Sequence, residues 1–259
     1  MHRAFARSSA IILILWIAPV LEFAQTDEIQ VYDGSIASPG QFTLSLHNNF
    51  TPAGQKTPAF PGGLIPDKSL NGVTEWAYGV TRWFEAGLYL PLYSISKNRG
   101  ATINGGKIRF LFAAPNAADR TFFYGANFEF SYNSRHWDPM RFTSEIRPIV
   151  GWRYHPFEII INPILDNSFA GGFKNLEFVP ATRLAYNASA KWAIAVEEYG
   201  DIGPLREFRP MAEQSHQLYG VLDHSSKLFD IEIGIGFGLT PASDKLNIKL
   251  LLLRNLNKN

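Results

Sequence analysis

Residues 228–240 read LFDIEIGIGFGLT, with Phe229, Ile231, Ile233, Ile235, Phe237 and Leu239 in one phase and Asp230, Glu232, Gly234, Gly236 and Gly238 in the other. A period of two marks a strand with one apolar face, because successive side chains point to opposite sides of a sheet. One such strand suits a soluble sandwich or a lipid-facing wall, and the number and length of its fellows separate the two. The same alternation, bounded by turn residues, predicts twelve strands: 41–51, 71–82, 85–97, 102–114, 121–135, 140–153, 157–169, 176–188, 190–201, 214–224, 227–240 and 244–256. Twelve is even, as in single-chain bacterial outer-membrane barrels. Most of the runs exceed the ~5–6 residues of a globular strand and reach the ~9–11 that a tilted strand needs to cross a bilayer.

The links repeat the message. Those at 52–70, 136–139, 170–175 and 202–213 are long and rich in Gly, Pro and Asn, whereas those at 83–84, 154–156, 189 and 225–226 are tight. Alternation of long outer loops with short periplasmic turns is the habit of these barrels. It weakens at 115–120, long for a turn, and at 241–243, short for a loop. Trp83, Phe84, Trp152, Tyr154, Phe157, Tyr186 and Trp192 flank the tight links, where an interfacial aromatic belt would sit. The expected fold is therefore an all-β, transmembrane, antiparallel up-and-down β-barrel of about twelve strands with both termini periplasmic.

Composition supports a surface that does not face water. Apolar residues make up 46% of the chain and aromatics 14%, while only 18% are charged, below the ~25% of a soluble domain. The net charge of +1 is spread along the chain, so nucleic acid is excluded as a partner. The absence of cysteine excludes disulfides, thiolate metal sites and a cysteine nucleophile. At the start, Arg3 and Arg7 precede the apolar run AIILILWIAPV (10–20), which is too short for a spanning helix of ~20 residues and reads as an export signal cleaved after Ala24. The expected partition is a signal over 1–24, an N-terminal periplasmic segment over 25–40 and the barrel over 41–259.

If the apolar phase faces lipid, the other phase lines the lumen. It carries Glu129 and Arg135 on one strand and Glu145 and Arg147 on the next, then Glu158, Asp166, Arg183, Glu197, Asp230 and Glu232. Acids and bases are about even in number, so they are expected to pair and partly fill the interior. Their bland role is to stabilise that interior. Pro148, Pro163 and Pro180 lie in the outward phase of three consecutive strands at comparable depth, and each removes a backbone donor where lipid offers no substitute. They mark either ordinary bulges or a side opening. The segment 51–71, with Pro52, Pro58, Pro61 and Pro66, cannot extend the sheet and reads as a surface loop or a lid.

The histidines form no hydrolase pattern. His224-Ser225-Ser226 lies in a tight link expected to be periplasmic, and no His pair shows metal-ligand spacing. Gly234-x-Gly236-x-Gly238 lies inside a strand with no helix after it, so it is not a nucleotide loop. No catalytic residue, metal or cofactor is assigned.

Six stretches, IQVYDGSIASPGQF (29–42), HNNFTPAGQKTPAFPGG (47–63), EWAYGVTRWFEAGLYLPLY (75–93), AADRTFFYGANFEFSYN (117–133), FTSEIRPIVGW (142–152) and WAIAVEEYGDIGPL (192–205), resemble the outer-membrane proteins grouped under the meta-pathway of phenol degradation. The resemblance implies an outer-membrane barrel with outer-membrane lipid around it and a link to uptake of aromatic compounds. The expected function is passive uptake or binding of a small hydrophobic or aromatic solute. The alternatives are a structural or interaction barrel without transport and, third, an outer-membrane lipid hydrolase.

Overall fold

The computed structural model describes residues 28–169 and 176–257. The signal expected over 1–24 and the loop residues 170–175 lie outside the described residues. The extended pieces are β1 (Phe42–Ala53), β2 (Ser69–Gly79), β3 (Phe84–Ser96), β4 (Gly100–Ala113), β5 (Phe122–Asn133), β6 (Phe142–Tyr154), β7 (Phe157–Asn162), β8 (Leu165–Asn167), β9 (Glu177–Phe178), β10 (Ala181–Asn187), β11 (Trp192–Asp201), β12 (Gly203–Pro204), β13 (Ser215–Ser225), β14 (Asp230–Gly238) and β15 (Leu246–Asn255). All pairings are antiparallel. β1 pairs with β15 from Thr43↔Asn255 to Phe50↔Ile248, and that ladder closes the cylinder. β7 and β8 form one pass, as do β9 with β10 and β11 with β12, so the barrel has twelve passes.

Closure follows from the environment. A strand edge left in hydrocarbon would strand a row of backbone donors and acceptors, each costing several kcal/mol. The first and last strands begin and end at the same rim, called here the terminal rim; the opposite one is the loop rim. The links 80–83, 155–156, 188–191 and 226–229 at the terminal rim are short, and only 114–121 is long, because it holds a 3-10 turn at Ala117–Asp119. The loop rim carries 54–68, 134–141 and 205–214, together with a tight turn at 97–99.

Side-chain phase follows the sequence pattern. Ile233, Ile235 and Phe237 of β14 are exposed, as are Ile194 and Val196 of β11, Phe130 of β5 and Ile108 of β4. An exposed apolar band on a closed barrel is a lipid-facing surface. Aromatic residues ring the terminal rim in contact with one another: Phe42 with Tyr78 (4.6 Å between centroids), Phe84 with Phe112 (4.8 Å), Phe122 with Trp152 (5.5 Å) and Phe157 with Tyr186 (5.5 Å). Their amphipathic rings suit a membrane interface. The chain is an outer-membrane β-barrel.

Inside, the glycines of β14 have a definite use. Gly236 stands opposite Tyr219, and a Cβ there would lie 2.3 Å from the Tyr219 ring. The wall is thinned at that point so that a fully buried tyrosine fits beside it.

The chain itself also occupies the lumen. Of the N-terminal segment expected in the periplasm, residues 28–34 run inside the barrel with Glu28, Ile29, Val31 and Tyr32 buried, and 35–40 lead out to the terminal rim, where Ser35, Ser38, Pro39 and Gly40 are exposed. Asn162 of β7 holds this segment by both backbone groups of Tyr32, accepting from its N–H (2.7 Å) and donating to its C=O (3.0 Å). Arg147 donates to Gln30 O (3.0 Å), Lys249 to Ile29 O (3.3 Å), and Ala37 N–H donates to Glu85 (2.6 Å). Gly79 allows the approach, since a Cβ there would lie 2.2 Å from Ala37 O.

Ile233→Arg places a charge on the lipid face near mid-membrane and is expected to destabilise the barrel by ~2–4 kcal/mol. Urea titration in lipid vesicles, followed by heat-modifiable gel migration, reads this as a lowered midpoint. A midpoint equal to wild type would mean that Ile233 does not face lipid.

Candidate functional site

Below mid-height the lumen is an ionic lattice. Arg109 of β4 bridges Glu75 (2.6 Å) and Glu85 (2.5 Å), and His47 of β1 lies 3.3 Å from Glu75. Tyr32 from the N-terminal segment meets Tyr89 hydroxyl to hydroxyl at 2.5 Å. On the opposite wall Arg183 pairs with Glu197 and Asp223 and lies 3.5 Å from Glu232, while Lys249 pairs with Glu197 and with Glu232 (2.6 Å). Arg153 pairs with Glu158 and its guanidinium lies 3.9 Å from the Phe123 ring centre. These groups are largely shielded from water, so each charge depends on its partner.

Of the residues expected to line the lumen, Glu145, Arg147, Glu158, Asp166, Arg183, Glu197, Glu232 and Glu129 all face inward in this lattice or just above it. Glu129 pairs with Lys107 (3.1 Å) and Arg147 with Glu145 (2.7 Å). Arg135 and Asp230 stand apart. Arg135 is exposed in the loop after β5, and Asp230 is exposed at the first position of β14. Both lie at a rim, where the inward and outward phases alike meet water. The Tyr32–Tyr89 contact and the backbone carbonyls of residues 29 and 30 lay beyond the sequence pattern, since a non-repeating segment has no phase to read.

The histidines sit in structural settings. His216 Nδ1 lies 2.9 Å from Glu198 and its Nε2 2.9 Å from Gln214, His136 Nε2 is 3.2 Å from Asn104, and the His224 ring packs tilted against Trp192 with centroids 4.1 Å apart.

Above the lattice lies a cavity of about 1070 Å³. Its floor is Glu28, Ile29 and Gln30 of the N-terminal segment, and its walls rise through Asn49, Ser131, Thr143, Tyr199 and Asn247 to the loop rim. The segment expected to stay out of the sheet over 51–71 does so only over 54–68, since β1 runs on through Pro52 to Ala53 and β2 begins at Ser69, with Thr51 paired to Ser69. The 54–68 segment folds back onto the mouth and lines it with Thr57, Pro58, Ala59, Phe60 and Pro66. It is tied down on both flanks. Gln55 N–H donates to Asp244 (2.8 Å) and its amide to Pro241 O (3.0 Å), while Asn98 donates to Gly63 O (3.0 Å) and accepts from Ile65 N–H (3.1 Å). The site is a vestibule, open toward the loop rim and blind at its floor.

The backbone ladder of one vestibule wall is interrupted. β6 pairs with β7 up to Val150↔Ile161 and resumes with β8 at Ile146↔Leu165, without a change of register. β10 pairs with β7 at Ala181↔Asn162 and β9 with β8 at Phe178↔Leu165, again in one register. By that register Pro148, Pro163 and Pro180 stand side by side on a single rung. Val179 N–H donates to Ile164 O (3.0 Å), so the Ile164 carbonyl faces the β9–β10 pass, while Ile164 N–H turns back to Asn162 O (3.0 Å). By alternation, Pro163 then directs its donorless nitrogen at Pro148, and Pro148 directs its own back. Neither can make the bond, and roughly 13 Å of the β6–β7/β8 seam lacks its backbone ladder. Ile164, Val179 and Pro180, at this break, also line the vestibule.

No family model matches the chain, and no curated protein matches it. Among solved structures it is similar to an outer membrane channel from Pseudomonas putida F1 at 11% identity, covering 88% of this chain and 100% of that one with a TM-score of 0.60. It is also similar to the porin KdgM in complex with disordered oligogalacturonate, at 7% identity, covering 82% and 98% of the two chains with a TM-score of 0.52. At these identities the likeness is one of fold.

Lys249→Met removes a buried cation from between Glu197 and Glu232. Stranding buried charge in this way is expected to cost about 3–5 kcal/mol. The urea midpoint in vesicles should fall accordingly, and an unchanged midpoint would show that the pair is solvated.

Proposed function

We propose that this outer-membrane barrel passively takes up a small hydrophobic or aromatic solute, admitting it at the loop rim and releasing it sideways into the bilayer through the Pro148–Pro163 seam. The loop rim faces the exterior in this reading, with both termini periplasmic, in keeping with the export signal read at the start of the chain. The carrying observation is the coincidence of a blind floor with an interrupted wall ladder. A solute in the vestibule meets residues 28–30 and the ionic lattice beneath them, a route on which an apolar molecule would have to displace the polar partners of fixed charges. Beside it stand Ile164, Val179 and Pro180, which lead to the one rung where two facing prolines leave the ladder unmade. The fold shared with a channel and a porin supports passage of solutes as the general task; no family model bears out the resemblance to the phenol meta-pathway proteins, so the hydrophobic or aromatic cargo is argued from the apolar side route alone.

The reading predicts that restoring the donors closes the route. In Pro148→Val/Pro163→Val/Pro180→Val, uptake of radiolabelled toluene by cells should fall several-fold while the folded barrel accumulates normally. Uptake at the wild-type rate with a folded barrel would make the prolines structural and remove the side exit.

A further inference from the structure

A groove of about 190 Å³ indents the barrel at the seam where the last strand meets the first, lined by Leu44, Leu46, Phe229, Leu252, Leu253 and Arg254. Register orders its outward residues. Leu44 stands opposite Arg254 and Leu46 opposite Leu252, while Ile231 flanks Leu252 on the other side. Ser45 and His47 of β1 and Lys249 and Leu251 of β15 are buried in the lumen, so the alternate residues that form the groove face lipid.

Arg254 is out of keeping with that face. It is exposed and in the outward phase, one outward rung in from the rim rung, where Leu256 N–H donates to Phe42 O (2.9 Å). Phe42 belongs to the aromatic belt through its contact with Tyr78. A charge on the lipid face is tolerated only where the interface gives it a partner. The protein supplies none: Arg254 makes no ion pair among the described residues, and Asp230, on the neighbouring strand, lies in the inward phase.

A second observation concerns the rim as a whole. The terminal-rim links carry Arg82, Arg120, Lys191 and Lys227, all exposed and none in an ion pair among the described residues, against Asp119 as their one acid. Such a ring attracts anionic headgroups within a Debye length. Lys227 precedes Phe229 of the groove by two residues, which puts a second cation at the same corner.

We infer that the β1–β15 seam holds one anionic glycerophospholipid, its phosphate on Arg254 with Lys227 beside it and an acyl chain along Leu44, Leu46, Leu252 and Phe229. A guanidinium offers paired donors that match phosphate oxygens, and the leucines take the chain that a free phosphate lacks. The inference rests on the proposed function for orientation alone: with the terminal rim periplasmic, the groove meets the phospholipid leaflet.

The test is native mass spectrometry of the detergent-folded, full barrel mixed with equal amounts of dioleoyl phosphatidylglycerol and dioleoyl phosphatidylethanolamine, whose ammonium offsets its phosphate. The first lipid retained should be phosphatidylglycerol by ~5-fold, the worth of one basic residue at a membrane surface. Arg254→Gln should abolish that preference, Arg254→Lys should keep most of it, and Arg135→Gln, at the other rim, should leave it unchanged. Leu46→Trp, which fills the groove, should lower retention of both lipids. Equal retention of the two by the unaltered protein, indifference to Arg254→Gln, or displacement by excess inorganic phosphate would overturn the assignment. If a variant fails to fold, the comparison of the two lipids on the unaltered protein still decides. A third arm with lipid A separates the premises: its preference over phosphatidylglycerol would put the terminal rim outside and sink the orientation together with this site. Loss of the phosphatidylglycerol preference with lipid A also unbound would sink this site and leave the uptake reading standing.

Discussion

Hydrocarbon offers no hydrogen bonds, and that single constraint organises this barrel. It forces the sheet to close, as β1 does on β15. It sends the apolar phase outward and leaves the polar phase to find partners within. Arg109 with Glu75 and Glu85, and Lys249 with Glu197 and Glu232, are consequences of charges having no water to turn to. The N-terminal segment obeys the same rule. It can enter the lumen only because Asn162, Arg147, Lys249 and Glu85 meet its backbone groups. The Pro148–Pro163 rung is the place where the rule is relaxed, and the relaxation falls on the wall of the cavity.

The two ends of the lumen therefore differ in kind. Toward the terminal rim, side chains and a length of backbone fill the interior and brace the wall. Toward the loop rim the walls carry Asn49, Ser131, Asn133, Thr143 and Asn247, short polar residues that leave a cavity. Segment 54–68 narrows the mouth, held by Asp244 on one flank and Asn98 on the other. The molecule is a closed-bottomed cup in its wall, with charge concentrated at the floor.

The barrel was legible in the sequence because a lipid-facing strand has no option but to alternate. The run from Phe229 to Leu239 announced its phase, and Trp83, Trp152 and Trp192 announced the rim. The prolines were legible as a set at similar depth, but their shared rung depends on register, which the sequence does not number. A carboxylate rung was hidden for the same reason: Glu129, Glu145, Asp166 and Glu177 are far apart in the chain and meet only once the strands are aligned. The lumen position of residues 28–34 had no periodic signal at all. Tyr32 docks through its backbone onto one asparagine side chain, and a carbonyl leaves no trace in composition.

The account turns on the N-terminal segment closing the lumen below the vestibule. Planar-bilayer recording of the intact protein beside a variant lacking residues 28–37 tests this directly. The intact barrel should show little or no stepwise ion conductance, and the shortened one, verified as folded by heat-modifiable migration, should conduct in discrete steps. Steady steps of the same size from both proteins would contradict a closed floor, and with it the blind vestibule on which the functional reading is built.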